Sequence, residues 1–208
     1  MGSLKLPHAS GNSMSIAAPA TNPASDLELK LPATIGTAGQ HLTVDGSGNL
    51  VWADPPGITE VDQWRVHTDF AGWVSAAIVS SNWERCDNTP TLAKIGTGMS
   101  ESSGIFTFPS TGIWQIYTDW SFNTHDEVRY NGVNIYATTN NSSYSQITAN
   151  YGSSVHDAGG LVYGHVHSKA IVDITDVSNQ KVAMYLNSEA GNNTNWIGNS
   201  GKNENVTI

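Results

Sequence analysis

The chain has 208 residues, and only 13% of them are charged, against about 25% in a typical soluble protein. The formal charge of -9 and a pI near 5.0 disfavour a nucleic-acid binder, which needs a basic surface. No apolar run reaches the roughly 18 residues of a membrane span, so we expect no membrane insertion. The single cysteine, Cys86, excludes an intrachain disulfide framework. The polar residues are mainly Asn, Ser, Thr and Gly, which suit turns and strand exteriors and therefore favour an all-β fold.

The sequence changes character near residue 56. Residues 1–51 contain no aromatic side chain, whereas six of the 8 prolines precede residue 57. A segment without aromatic residues cannot easily build its own core. We therefore predict an extended attachment and trimerisation arm over residues 1–56 and a separate domain over residues 57–208.

The arm contains two strand patterns. Leu27, Leu29 and Leu31 alternate with polar residues up to Pro32, which predicts a strand whose leucines contact the other arms of a trimer. A second pattern, residues 41–44 and 49–52 around Asp-Gly-Ser-Gly, predicts a β-hairpin. Three copies wrapped about an axis would bury the apolar face of that hairpin, and a flexible linker is the alternative. The predicted hairpin contacts are Leu42, Val44, Leu50 and Trp52.

Residues 57–208 show short runs of alternating polarity separated by Gly, Asn, Ser and Asp, which predict an antiparallel sandwich. The strongest run, residues 113–122, places one apolar face in the interior and leaves a mixed face with Ile113 and Tyr117. That mixed face suits either contacts between subunits or solvent. The predicted interior residues of this run are Trp114, Ile116, Trp120 and Phe122.

The block from Phe106 to Ile116, with Pro109 and Gly112, resembles the Phe-x-x-Pro-x-x-Gly-x-Tyr-x-Phe motif of complement globular-head domains, which are tumour-necrosis-factor-like jelly rolls. The resemblance implies an antiparallel jelly roll with Phe106 and Phe108 in its core. The closing Phe-x-Gly-x-Leu-Leu strand of that family is missing, which leaves the completeness of the last strand open.

A second resemblance spans most of the chain. The segments Leu31–Gln40, Val44–Leu50 and Ser81–Arg85 are similar to virion proteins of tailed phages of marine bacteria, as are Ile95–Met99 and Gly104–Pro109. This resemblance implies a homotrimer on a virus particle, attached to capsid or tail proteins through residues 1–56. The N-terminus shows no long apolar run typical of a signal peptide, so we expect synthesis in the host cytoplasm and assembly into the virion.

His165 and His167 form the strongest metal-binding pattern, because residues two apart on a strand share one face. The spacing from Gly159 resembles that of metal-binding cupins, but the Glu and the later His of a cupin are missing. Two ligands make a poor site. We therefore expect no cofactor, no bound metal and no enzymatic activity, and a cupin-like metalloenzyme stays a remote alternative.

Two polar loops, residues 139–144 and 191–196, each end in an aromatic residue. Amide and hydroxyl groups beside an aromatic ring suit a sugar, so these loops are candidates for binding host surface glycan, and solvated loops are the alternative. The residues concerned are Asn140, Asn141, Tyr144, Asn193 and Trp196.

Together these features predict a non-enzymatic virion protein with a projecting trimeric jelly-roll knob. A capsid decoration or head fibre is favoured, because 56 residues span at most about 185 Å even when fully extended and a long tail fibre needs more shaft. A tail-fibre tip that binds host glycan is the alternative. Residues 1–56 carry a net charge of -2 and the remainder -7, so the acidity lies mainly on the knob.

Overall fold

The computed structural model describes residues 3–7, 9–17, 19–21, 23–26, 28–71, 75–90, 93–125, 127–155, 159–189, 193–200 and 206–207. The chain divides into two compact units, Met1–Gly57 and Ile58–Ile208. All strand pairs within the described residues are antiparallel, and no helix in these ranges is long and apolar enough to cross a membrane. The predicted all-β fold is confirmed.

The first unit contains two β-hairpins: β1 (Ser3–Pro7) with β2 (Ser13–Ala17), and β3 (His41–Val44) with β4 (Leu50–Ala53). The second is the predicted hairpin, whereas the first was not predicted. The predicted strand over residues 27–31 is wrong. Leu27 lies outside the described residues, and the rest forms only an isolated bridge between Lys30 and Asn49, because Pro32 has no N–H to continue a ladder.

The second unit contains fourteen strands within its described residues. In chain order they are β5 (Val61–Val66), β6 (Phe70–Ala71), β7 (Ala77–Ile78), β8 (Trp83–Arg85), β9 (Lys94–Ile95), β10 (Ser100–Ser102), β11 (Ile105–Thr107), β12 (Gly112–Thr124), β13 (Val128–Thr138), β14 (Tyr144–Ser154), β15 (Val162–Ile174), β16 (Lys181–Ser188), β17 (Thr194–Trp196) and β18 (Val206–Thr207).

These strands form two sheets. In the first, the β12 sheet, β15 pairs with β12, β17 and β18 follow on the other edge of β12, and then come β5 and β8. The second, the β13 sheet, has the order β10-β11-β16-β13-β14. The main strands therefore run β5-β18-β12-β15 in one layer and β11-β16-β13-β14 in the other, and the chain crosses repeatedly between layers. This order defines a jelly roll.

Two details of the strand prediction change. The sequence pattern breaks at Asn131-Gly132 and predicts two strands, residues 127–130 and 133–139, whereas the structure has one strand, β13, which pairs with both β14 and β16. The last strand is also not one continuous segment. Two short strands occupy the edge of β12 opposite β15. β17 pairs with the end of β12, and β18 lies between β12 and β5.

The core lies between the two sheets and contains the predicted apolar residues. Alternation along β12 places Trp114, Ile116, Trp120 and Phe122 inside, each 9% exposed or less. The β12 sheet leaves room for the Phe122 ring at Gly164, directly opposite on β15. A Cβ atom at residue 164 would lie 2.2 Å from that ring. Phe106, in β11 of the β13 sheet, and Phe108, just after that strand, are also buried, at 0% and 2% exposed.

A buried ion pair joins β5 to β8, which the sequence did not indicate. Arg85 donates to both carboxylate oxygens of Asp62, at 2.7 and 2.9 Å, and its guanidinium lies 4.4 Å from the centre of the Trp64 ring. The Asp62 carboxylate also accepts the backbone N–H of Met99 at 2.6 Å. Hydrogen bonding to Asp62 raises the pKa of Arg85. Both oxygens of the buried Asp62 carboxylate are therefore hydrogen-bonded, which compensates for their removal from water.

Replacing one partner of this pair should strongly destabilise the knob. Asp62→Ala leaves the Arg85 guanidinium without its carboxylate, and we expect a loss of about 3–5 kcal/mol in the free energy of unfolding. Urea denaturation followed by tryptophan fluorescence measures it. Glu127→Ala, at an exposed position, is the control and should change stability by less than about 0.5 kcal/mol. Equal effects of the two substitutions would contradict the structural role of Asp62.

Candidate interaction surfaces

The β3–β4 hairpin has one apolar face, which we call the arm surface: Leu42, Val44, Leu50 and Trp52. Leu42 lies opposite Trp52 and Val44 opposite Leu50, so all four side chains point to the same side. Leu42, Val44 and Trp52 are 43%, 56% and 38% exposed, and Leu50 is half-buried. An apolar face of this extent is therefore left in contact with water in the single chain.

Local contacts hold this hairpin in shape. Its turn is closed by Asp45, whose carboxylate accepts the backbone N–H groups of Ser47 and Asn49, both at 2.9 Å. A further hydrogen bond from the Asn49 side chain contributes most to lowering the pKa of Asp45. The Trp52 indole donates to the Thr34 carbonyl at 2.9 Å and covers Gly36, where a Cβ atom would lie 2.5 Å from the ring.

The segment before the hairpin also exposes apolar side chains. Leu29 and Leu31, both predicted arm contacts, are 67% and 78% exposed, and Ile35 is 95% exposed. Residues 30–37 and the hairpin enclose an open groove of about 740 Å³, which Leu50 and Trp52 also line. The groove therefore shares Leu50 and Trp52 with the arm surface, and polar residues such as Lys30, Gln40 and Asn49 complete its lining.

The outer side of the β12 sheet is the second apolar surface, which we call the knob surface: Ile113, Tyr117, Tyr163 and Ile171. These residues lie on the adjacent strands β12 and β15 and are 71%, 37%, 68% and 73% exposed. They alternate with the buried residues of the same strands, so their exposure follows directly from the strand period of two.

The two predicted metal-site histidines lie on this knob surface. The His165 imidazole contacts the Asp119 carboxylate, and His167 stacks on Tyr117 with ring centres 6.1 Å apart. The two imidazole rings are 5.9 Å apart. No group of three or more His, Cys, Asp or Glu side chains suited to a metal ion occurs among the described residues. The described geometry therefore lacks the third ligand that a cupin-like site needs.

The predicted glycan-binding loops do not form one site. Asn140 uses its side-chain oxygen to accept the backbone N–H groups of Ser142 and Ser143, at 3.0 and 2.8 Å, and so stabilises its own turn. Asn141 adopts φ of 55° within that turn, and Asn193 is exposed.

The assignment of Trp196 to the surface is wrong. Its side chain is 0% exposed and packs edge-to-face against Trp120 and Phe122, with ring centres 6.1 and 5.5 Å apart. Residues 194–196 form β17 beside β12, so Trp196 points into the sandwich. The Asn-rich segment before Trp196 predicts a loop, whereas the three residues 194–196 form a core strand.

Tyr144 belongs to a larger aromatic surface that sequence reasoning missed. Five of the seven tyrosines lie on the outer side of the β13 sheet, the tyrosine face. Two pairs of rings are in contact: Tyr136 stacks on Tyr185 at 4.0 Å, and Tyr130 meets Tyr151 edge-on at 6.1 Å. Burial raises the pKa of Tyr144 and of Tyr185. The face consists of Tyr130, Tyr136, Tyr144, Tyr151 and Tyr185.

The alternation of residues 130, 132, 134 and 136 along β13 was the available sequence signal for this face. The pattern is weak, because Asn131-Gly132 interrupts it and places Tyr130 and Tyr136 in two separate predicted strands. Only the strand pairing brings Tyr151 of β14 opposite Gly132, and Tyr185 of β16 opposite Asn134.

No protein-family model and no curated protein matches the chain. Among solved structures, the crystal structure of murine APRIL at pH 5.0 is similar, with 15% sequence identity and a TM-score of 0.42. The match covers 71% of this chain and 96% of that one. The jelly-roll assignment itself rests on the strand order of the two sheets.

The histidine pair yields a direct test for metal. Because the described residues supply no third ligand, we expect protein stripped with EDTA and dialysed against Zn²⁺ to retain well under one equivalent per chain. Inductively coupled plasma mass spectrometry measures the metal content. One equivalent of zinc that His165→Ala removes, and that Ser121→Ala leaves in place, would contradict this expectation and revive the metalloenzyme alternative.

Proposed function

We propose that the chain is a non-enzymatic structural protein of a virus particle. Residues 1–56 attach it to capsid or tail proteins, and the jelly roll projects outward as part of a homotrimer. The observation that carries the proposal is that both units expose organised apolar surfaces as single chains. The arm surface and, on the mixed outer face of the β12 sheet, the neighbouring Ile113, Tyr117 and Ile171 lie on paired strands, as expected of faces that pack against further copies of the chain.

The arm surface supports assembly on energetic grounds. A two-stranded hairpin is at best marginally stable in water by itself. Full burial of a Leu or Val side chain contributes about 1.5–3 kcal/mol, and Leu42 and Val44 are both about half exposed. Packing three copies of the hairpin face to face would bury these side chains together with Trp52.

The knob surface supports the same assembly in the jelly roll. Ile113 and Ile171 are both more than 70% exposed on neighbouring strands, and Tyr117 beside them is held against His167. Aromatic and aliphatic side chains of this kind are enriched in interfaces between identical subunits, which close most often with cyclic symmetry.

The virion assignment rests on the resemblance to phage virion proteins over most of the chain. The limited reach of 56 residues, at most about 185 Å, favours a capsid decoration or head fibre over a tail fibre. A nearly uncharged arm, with a net -2, suits burial against other particle proteins, whereas the knob carries most of the negative charge.

The assembly state tests the first part of this proposal. We expect native mass spectrometry of the full chain to give three times the 22.2 kDa of one chain. Leu42→Asp with Val44→Asp should place charges in the arm interface and raise the concentration for half-dissociation at least about tenfold. His41→Asp, on the opposite face of the same strand, is the matched control and should leave it unchanged.

The knob surface is tested in the same way with Ile113→Asp and Ile171→Asp. Ile147→Asp, at an isoleucine that is 43% exposed on the other sheet, is the control. A full chain that remains monomeric at micromolar concentration would contradict the trimer. Equal effects of the paired variants and their controls would show that these two surfaces are not the interfaces.

Imaging of the intact particle tests the virion assignment. Electron cryomicroscopy of purified virus particles should show threefold knobs of jelly-roll shape on the capsid, with residues 1–56 in contact with shell proteins. The same knobs at the end of a tail fibre would favour the receptor-binding alternative. Absence of the protein from purified particles by mass spectrometry would reject both locations.

A further inference from the structure

One end of the tyrosine face contains a cavity that neither the trimer nor the arm requires. The cavity has a volume of about 470 Å³ and is lined by Tyr130, Tyr151 and Asn187. This volume falls within the usual range of small-molecule sites, about 300–1,000 Å³. The three residues come from the adjacent strands β13 and β14 and from β16, so a rigid sheet, not a loop, positions them.

Gly132 keeps this cavity open. It lies directly opposite Tyr151 on one neighbouring strand and Asn187 on the other. A Cβ atom at residue 132 would lie 2.2 Å from the Asn187 side-chain oxygen and 2.8 Å from the Tyr151 ring. Any other residue here would therefore push both lining side chains out of place.

Two tyrosine rings form the apolar walls. Tyr130 and Tyr151 meet at an interplanar angle of 89° with ring centres 6.1 Å apart. Tyr151 is 58% exposed, so much of its ring is available to a ligand. Two rings at right angles offer both a flat face and an edge, each with a hydroxyl group at its rim.

The Asn187 side chain supplies the polar group of the cavity, and Asn134 of the adjacent strand β13 holds it in place. Its side-chain oxygen accepts a hydrogen bond from the Asn134 amide at 3.1 Å, which leaves the Asn187 NH₂ group to donate to a ligand. Asn134 is only 1% exposed, and its own side-chain oxygen has no hydrogen-bond partner among the described residues.

The charge at this site argues against an ionic ligand. The three described residues that line the cavity, Tyr130, Tyr151 and Asn187, are uncharged. Arg129 and Glu189, which flank Tyr130 and β16, form an ion pair with each other, and the Arg129 backbone N–H also donates to Glu189 at 2.7 Å. The Arg129 guanidinium therefore already has a carboxylate partner, and an anionic ligand would compete with Glu189 for it.

We propose that the cavity lined by Tyr130, Tyr151 and Asn187 binds one ring of a neutral carbohydrate. The C–H face of a pyranose packs on the Tyr151 ring, and its hydroxyl groups exchange hydrogen bonds with the Asn187 amide and the tyrosine hydroxyls. This site goes beyond the structural role proposed above and does not depend on trimer formation, because all three residues belong to one chain.

The test is a binding experiment with the full chain. The labelled protein is applied to an array of neutral oligosaccharides of hexoses, deoxyhexoses and N-acetylhexosamines, together with sialylated and sulfated ones. Isothermal titration calorimetry with the best neutral sugar follows. We expect Tyr151→Ala and Asn187→Ala each to weaken binding at least about tenfold, whereas Tyr151→Phe, which keeps the ring, should retain most of it.

Gln146→Ala is the matched control, because Gln146 is an exposed residue on the same strand as Tyr151 but does not line the cavity. It should bind sugar as the unmodified protein does. Binding of no neutral sugar, binding of anionic sugars alone, or binding that survives Tyr151→Ala and Asn187→Ala would each overturn the proposal. Native mass spectrometry of the same variants distinguishes these results from a failure of the trimer, which would leave sugar binding intact.

Discussion

A continuous series of edge-to-face aromatic contacts holds the two sheets of the knob together. Phe106 on β11 meets Trp64 and Trp83 with ring centres 5.5 and 5.0 Å apart. Trp83 meets Trp120, and Trp120 meets Trp196. Such pairs add about 0.5–1.5 kcal/mol each beyond the burial of their area. These rings come from five strands, β5, β8, β11, β12 and β17. Their packing therefore fixes the distance between the two sheets and holds the strands whose other faces point outward.

The outward faces of the two sheets differ in chemistry, although both result from the same alternation. The β12 sheet exposes isoleucine, tyrosine and histidine side chains on strands that pair along thirteen residues. The β13 sheet exposes tyrosine and amide side chains around Gly132. A broad apolar face suits burial against another protein surface, whereas a small concave aromatic and amide site suits a small polar ligand. The two sides of the sandwich therefore differ in the kind of partner that their chemistry suits.

The low charge of the chain acquires a structural explanation. Two of its few basic residues, Arg65 and Arg85, lie at the junction of β5 and β8 in ion pairs with Glu84 and Asp62. These residues therefore contribute little to the surface. The outer face of the β13 sheet carries mainly neutral polar and aromatic side chains, whereas that of the β12 sheet also carries Asp119, Lys169 and Asp173.

Much of the strand content was predictable from the sequence, because alternation with a period of two is a local property. The hairpin of residues 41–53, the long strand β12 and its buried tryptophans all follow from that pattern. The cases in which the alternation pattern fails also have physical reasons. Pro32 ends a run of leucines whose alternation predicted a strand, and the Asn-rich segment before Trp196 concealed a short core strand, since three residues are too few for a pattern.

By itself, then, the sequence determined the all-β class, the division near residue 56 and the interior face of the main strand, since each depends on composition or on neighbouring residues. Only the tertiary structure decided which faces meet across the sheets. It moved Trp196 into the core, paired Asp62 with Arg85, and gathered tyrosines from three strands around Gly132. These arrangements depend on strand register between residues far apart in the chain, such as Phe70 and Trp196, which no local pattern encodes.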